Sequence, residues 1–171
     1  ALSIGPVYRL NNMSHLSPRL RAIGTALPDH LLTQQQVLEI LAKDKGKALP
    51  ARLADILGNT GIERRHIAMP PEYYFSERSW SGRAQVYEDA AARMFQDAAK
   101  IALDRAGLSP ADIGQIVFVS TTGTMTPSLP SRMIAAMGFA PDTRCVPLFG
   151  YGCAGGAIGL GVAADLFRAS P

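Results

Sequence analysis

The sequence predicts an α/β fold, and three observations carry that expectation. Residues 115–119 and Arg144–Phe149 are short apolar runs of the kind that form strands buried on both faces of a parallel sheet. Leu129–Met137, between them, has helical spacing, so strand, helix and strand make a β-α-β unit. Finally, glycines 150 and 152 permit a tight reversal after the second strand, and the small-residue run 154–164 can continue from it as a buried helix.

The 171 residues are 47% hydrophobic and 18% charged, which suits one soluble domain around a single core. The formal charge of +3 is mild, and the basic residues form no long run interleaved with aromatics, which argues against nucleic-acid binding. Two cysteines, Cys145 and Cys153, fit a reduced cytoplasmic compartment better than a disulfide framework. His15, His30 and His66 are scattered, and no metal-ligand spacing is present. Residues 145–164 carry no charge, and Gly155 with Gly159 makes the G-x-x-x-G spacing of packed membrane helices. Pro147 and the clustered glycines nevertheless break that stretch into strand, turn and helix, so no membrane span is expected. Residues 1–17 lack the charged start and apolar centre of a signal peptide and read as an arm ahead of a domain over 18–171.

In chain order, the alternation over 19–27 suggests a first strand closed by Pro28-Asp29. Thr33 can cap a helix to about Ala42, with Val37, Leu38, Ile40 and Leu41 as its apolar face, and 43–47 reads as a solvated connection. Pro50 suits the first turn of a second helix ending near Gly58. Arg64, Arg65 and His66 could together bind an anion, although such a run is usually a solvated edge. Residues 69–82 read as a long loop, and 83–106 as the clearest helix, with Gly107 as its terminator. Ser109-Pro-Ala-Asp112 starts a short helical turn, and Ser120-Thr-Thr-Gly-Thr124 follows the 115–119 strand. In open α/β sheets ligands bind at the C-terminal ends of strands, so these hydroxyls suit a pocket.

Cys153 is the candidate nucleophile. At the start of a helix, unpaired N–H groups and the positive end of the dipole favour an anion, so a thiol can ionise near neutral pH. Free cysteine is also among the most buried residue types, and local chemistry leaves both readings open. Gly150-Tyr-Gly152-Cys-Ala-Gly155 spells the dinucleotide motif G-x-G-x-x-G, yet no acidic strand end follows within the sequence. The hydrolase elbow needs glycine on both sides of its nucleophile; Gly155 fits and Tyr151 does not.

The segment Val119-Ser-Thr-Thr-Gly-Thr-Met-Thr-Pro-Ser-Leu129, then Gly138-Phe139, then Arg144-Cys-Val-Pro-Leu-Phe-Gly-Tyr-Gly-Cys-Ala-Gly-Gly156, resembles the N-terminal half of bacterial type III polyketide synthases. These are the chalcone synthase-like enzymes of the thiolase superfamily, and Gly61-Ile-Glu-Arg-Arg-His66 resembles their region ahead of the first long helix. The resemblance implies a thiolase-like fold: the N-terminal half of a two-fold αβαβα layered architecture, its mostly parallel or mixed sheet covered by a buried nucleophile helix. It also implies a mechanism. The cysteine matching Cys153 takes an acyl group from coenzyme A, malonyl-CoA is decarboxylated, and the enolate attacks the thioester in a Claisen condensation.

By the same resemblance Thr122 lines the active-site cavity. Of the family's basic residues that contact coenzyme A, aligned with Arg52, Asp55 and Asn59, only Arg52 keeps its charge. The family's catalytic histidine and asparagine belong to a C-terminal half without counterpart here, so the sequence is expected to be part of a longer polypeptide, inactive alone and a homodimer when complete. Thr126 stands where the family has a methionine that crosses between subunits. Acyl-CoA and malonyl-CoA are the implied substrates, with no cofactor beyond these coenzyme A thioesters and no metal. A relative of β-ketoacyl synthase III or HMG-CoA synthase, and a non-catalytic nucleotide or coenzyme A binding module built on the glycine loop, are the alternatives.

Overall fold

The computed structural model describes residues 17–44 and 51–169. They divide into two compact units, one of them Gly24–Arg105 and the other the remaining described residues. Of the expected arm over 1–17 only Ser17 is described, and residues 45–47 of the expected 43–47 connection lie, with Pro50, outside the described residues.

In the Gly24–Arg105 unit, β1 (His30–Thr33) pairs antiparallel with β2 (Arg64–Ile67), with His30 opposite Ile67 and Thr33 opposite Arg64. Thr33 ends β1 and caps α1 (Gln34–Asp44) through a reciprocal box: its Oγ1 accepts the Gln36 N–H at 3.1 Å, and Gln36 Oε1 accepts the Thr33 N–H at 2.8 Å. Helix α2 (Ala51–Gly58) follows, then β2 and a short 3-10 turn at Pro71–Phe75. The long helix α3 runs Trp80–Ala106.

Three expectations change here. The 19–27 stretch alternates between outward and inward positions as a strand does, with Ile23 and Leu27 outward, but it belongs to neither sheet. Alternation reports which side faces in, whereas a strand also needs a neighbour in register, which the pattern does not contain. Gly24 shows what its inner side meets: a Cβ there would lie 2.0 Å from the Ala98 carbonyl oxygen of α3. Strand β2 arises where only a charged edge was expected. Helix α3 begins at Trp80 rather than Arg83, because Ser79 caps it, its Oγ accepting the Gly82 N–H at 3.1 Å.

The second unit holds the β-α-β core. Parallel β3 (Gln115–Ser120) and β4 (Arg144–Phe149) pair from Gln115 opposite Arg144 to Ser120 opposite Phe149, with α4 (Leu129–Met137) between them in sequence. Leu129, Met133 and Phe139 form its buried apolar centre, and buried Thr143 is satisfied by donating to the Ile113 carbonyl at 2.8 Å. Gly138 ends α4 with φ of 74°, in the left-handed region that favours glycine.

Helix α5 (Gly155–Ala169) lies on β3, with Gly155 and Gly159 buried against Val119. The G-x-x-x-G spacing is thus a helix-to-strand contact. The expected buried helix is buried along this stripe alone, since Leu160 and Phe167, elsewhere on α5, are 66% and 41% exposed. Two paired strands cover one side of a helix and leave the other to solvent. No helix among the described residues is long and apolar enough to cross a membrane.

Candidate active site

The parallel register sets the geometry of the site. Because β3 and β4 end side by side at Ser120 and Phe149, the loops that follow leave the same edge of the sheet. One loop begins with Thr121 and Thr122, both exposed. Ser120 anchors it by donating from Oγ to the Gly123 carbonyl at 2.5 Å and accepting the Gly123 N–H at 3.4 Å.

The other loop is the glycine turn. Gly150 has φ of 92° and Gly152 of 52°, values that a residue with a Cβ adopts at a cost of about 1–2 kcal/mol each. Cys153 sits in the middle of the 3-10 turn Gly152–Ala154 and is exposed. It therefore precedes α5 rather than opening it. The Ala154 N–H is donated to the Tyr151 carbonyl at 3.2 Å and the Gly155 N–H to the Gly152 carbonyl, so two donors at this end are engaged in holding the turn. Cys145 differs: it is half-buried within β4, its thiol 3.9 Å from the Thr143 carbonyl.

Thr122 and Cys153 are thus brought to one edge. Arg52 lies in the other unit, exposed on α2. The suggested anion cluster does not form: antiparallel pairing puts Arg64 and His66 on one face of β2 and Arg65 on the other. Arg65 donates to the Gln34 side-chain carbonyl, and His66 Nδ1 is 2.8 Å from the Pro28 carbonyl, to which it must donate. In the sequence Gly155 enters the dinucleotide and elbow patterns and, with Gly159, a G-x-x-x-G spacing, but none of these conveys that their buried faces fix the depth at which α5, and with it the cysteine turn, meets β3. The G-x-x-x-G spacing is the signal for that contact, since small residues four apart allow a close backbone approach. No group of three or more His, Cys, Asp or Glu able to hold a metal occurs among the described residues.

Residues 9–171 match the family described as chalcone and stilbene synthases, N-terminal domain. The chain belongs to that family. Among the relatives of this chalcone synthase-type domain, 1,3,6,8-tetrahydroxynaphthalene synthase of Streptomyces griseus is 37% identical over 148 residues, covering 85% of this chain and 40% of the relative. Phloroglucinol synthase of Pseudomonas fluorescens is 32% identical over 145 residues, covering 82% and 41%. Among solved structures, the tetrahydroxynaphthalene synthase of Streptomyces coelicolor A3(2), a bacterial type III polyketide synthase, superposes with a TM-score of 0.81 at 33% identity, over 88% of this chain and 44% of that one. The domain therefore spans about 40% of the length of the curated relatives it matches. The expected type III polyketide synthase resemblance and its thiolase-like fold both hold.

Proposed function

We infer that this chain is the cysteine-bearing half of an acyltransferase of the type III polyketide synthase kind, with Cys153 as the nucleophile. The observation that carries the reading is the positive-φ glycine turn, which presents an exposed thiol at the end of β4 beside the threonine loop of β3. The Cys153 thiolate attacks the carbonyl carbon of an acyl-CoA; a carbon–sulfur bond to the enzyme forms, and the coenzyme A thiolate leaves and takes a proton. Malonyl-CoA loses carbon dioxide, and the electron pair left on its α-carbon, delocalised as an enolate, attacks the enzyme thioester. A carbon–carbon bond forms, the Cys153 thiolate departs, and the product is a β-ketoacyl-CoA.

A thioester suits this sequence because it leaves the acyl carbonyl electrophilic toward carbon. Thr122 lines the acyl cavity and Arg52 contributes charge for coenzyme A phosphate. The reading uses coenzyme A thioesters as substrates and assigns the site no metal or further cofactor. It places the working enzyme in the cytoplasm as a homodimer, with the histidine and asparagine that stabilise oxyanion and enolate supplied by a C-terminal half.

The test separates reactivity from mere exposure. Iodoacetamide labelling at neutral pH, read by mass spectrometry, is expected to modify Cys153 faster in the folded protein than in the same protein unfolded in urea, and faster than Cys145. With an acyl-CoA, the mass of one acyl group is expected on the wild type and not on Cys153→Ala. A folded-state rate no higher than the unfolded one, with no acyl mass gain, overturns the assignment.

A further inference from the structure

The Gly24–Arg105 unit contains a cavity of about 330 Å³ lined by Tyr73, Tyr74, Ser76, Glu77, Arg78 and Arg83, at the start of α3. Its volume lies at the small end of the range for small-molecule pockets. The lining is built rather than incidental. Tyr73 and Tyr74 meet edge to face with ring centroids 5.4 Å apart, and the Arg78 guanidinium lies 4.8 Å above the Tyr73 ring. Ser76 fixes that arginine from below: its Oγ donates to the Tyr73 carbonyl at 2.9 Å and accepts the Arg78 Nε–H at 3.1 Å. Arg83 is held over the Trp80 ring at 5.6 Å.

Two guanidinium groups are thereby oriented by aromatic faces, and among the described residues neither is paired with a carboxylate. Glu77 lines the same cavity and leaves it with a net positive charge. The first turn of the 27-residue helix α3 adds the positive end of its dipole. The Tyr73 hydroxyl is buried with no hydrogen-bond partner among the described residues, a situation that most buried polar groups avoid.

We propose that this cavity is an oxyanion site that takes a phosphoryl group, held by Arg78 and Arg83. Planar guanidinium forks match the geometry of phosphate oxygens, and both forks are set on rings before the anion arrives. The phosphoryl group can come from inorganic phosphate or from a nucleotide, and the experiment distinguishes the two. The binding test reads no acyl transfer, so its outcome does not depend on the Cys153 chemistry.

The purified protein is titrated with inorganic phosphate, and separately with adenosine monophosphate, at constant ionic strength, with thermal shift and phosphorus NMR as readouts. Saturable binding is expected, about tenfold weaker in Arg78→Gln and in Arg83→Gln, the loss of one charge-assisted partner. Arg19→Gln, an exposed arginine of the other unit, is expected to bind as the wild type does. Tyr73→Phe, which removes the unpartnered hydroxyl and keeps the ring beneath Arg78, is expected to melt higher than the wild type and to bind phosphate as it does. Tighter binding of adenosine monophosphate than of phosphate assigns the nucleotide, and equal binding assigns the free anion. Absence of saturable binding, or binding unchanged in both folded arginine variants, overturns the proposal.

Discussion

Replacing Gly159 by alanine tests how α5 is seated, and through it how Cys153 is placed. A Cβ at Gly159 would stand 2.7 Å from Val119 Cγ2 and 3.9 Å from Val117 Cγ1. Valine is stiff at χ1, so the methyl cannot simply swing aside, and the helix or the strand must yield. Overpacking of this kind costs about 1–3 kcal/mol, against a gain of about 1 kcal/mol from exchanging a helical glycine for alanine. The expected net result is a loss of up to about 2 kcal/mol, measured by urea unfolding of the protein. Gly161→Ala is the internal control, because a Cβ there meets nothing within 4 Å. It retains only the propensity term and is expected to stabilise by up to about 1 kcal/mol. Adding Val119→Ala to Gly159→Ala removes the clash, so the two changes are expected to couple favourably by about 1 kcal/mol or more. If Gly159→Ala stabilises as much as Gly161→Ala does, the stripe does not set the spacing between helix and strand, and the argument fails.

Gly24→Ala is expected to be more damaging, since its Cβ would fall 2.0 Å from a backbone oxygen that no rotamer change can move; loss of the cooperative unfolding transition or a large drop in its midpoint would show this. Gly150→Ala, at φ of 92°, should cost about 1–2 kcal/mol and slow iodoacetamide labelling of Cys153, because the turn that presents the thiol relaxes. Thr33→Ala removes the α1 capping box and should destabilise by about 1 kcal/mol in urea. The Asp112 carboxyl is held below the usual carboxylate range by hydrogen bonds from the Ser109 hydroxyl and backbone N–H. A depressed value in the folded state means its contribution is complete above the unfolded value and disappears as pH falls through the folded one. The stability difference between wild type and Asp112→Asn should therefore be present at neutral pH and close in acid below the ordinary carboxylate value.

Local rules were most legible where one short stretch carries the whole determinant. Strand β4, helix α4 and the terminating role of Gly107 follow from apolar runs and from a glycine that reaches positive φ, at 67°. The turn holding Cys153 was legible for the same reason. Pairing was less so. Strand β2 is short and charged, and only β1, more than thirty residues earlier, makes it a strand; residues 19–27 have the alternation without the ladder. Ser79 is hard to recognise as a cap because Gly82 and the prolines before it look like loop, whereas a side-chain oxygen accepting one N–H suffices to start α3. At the site, Cys153 and Thr122 could be placed on one edge from topology alone. The engagement of the neighbouring N–H groups within a 3-10 turn depends on dihedral angles that no spacing encodes.

Gln34 shows how narrow a structural requirement can be without any part in catalysis. Its side-chain carbonyl accepts from Arg65 on β2, while its amide nitrogen donates to the Leu57 carbonyl, 2.6 Å away near the end of α2. One side chain thus joins a strand and two helices through opposite hydrogen-bonding polarities. Glutamate at this position could still hold the arginine but would set a second acceptor against Leu57; lysine could still reach the carbonyl but would repel the guanidinium. Substitutions tolerated at 34 should therefore be sparse, a constraint imposed on an ordinary-looking helical residue by the carbonyl and the cation on either side of it.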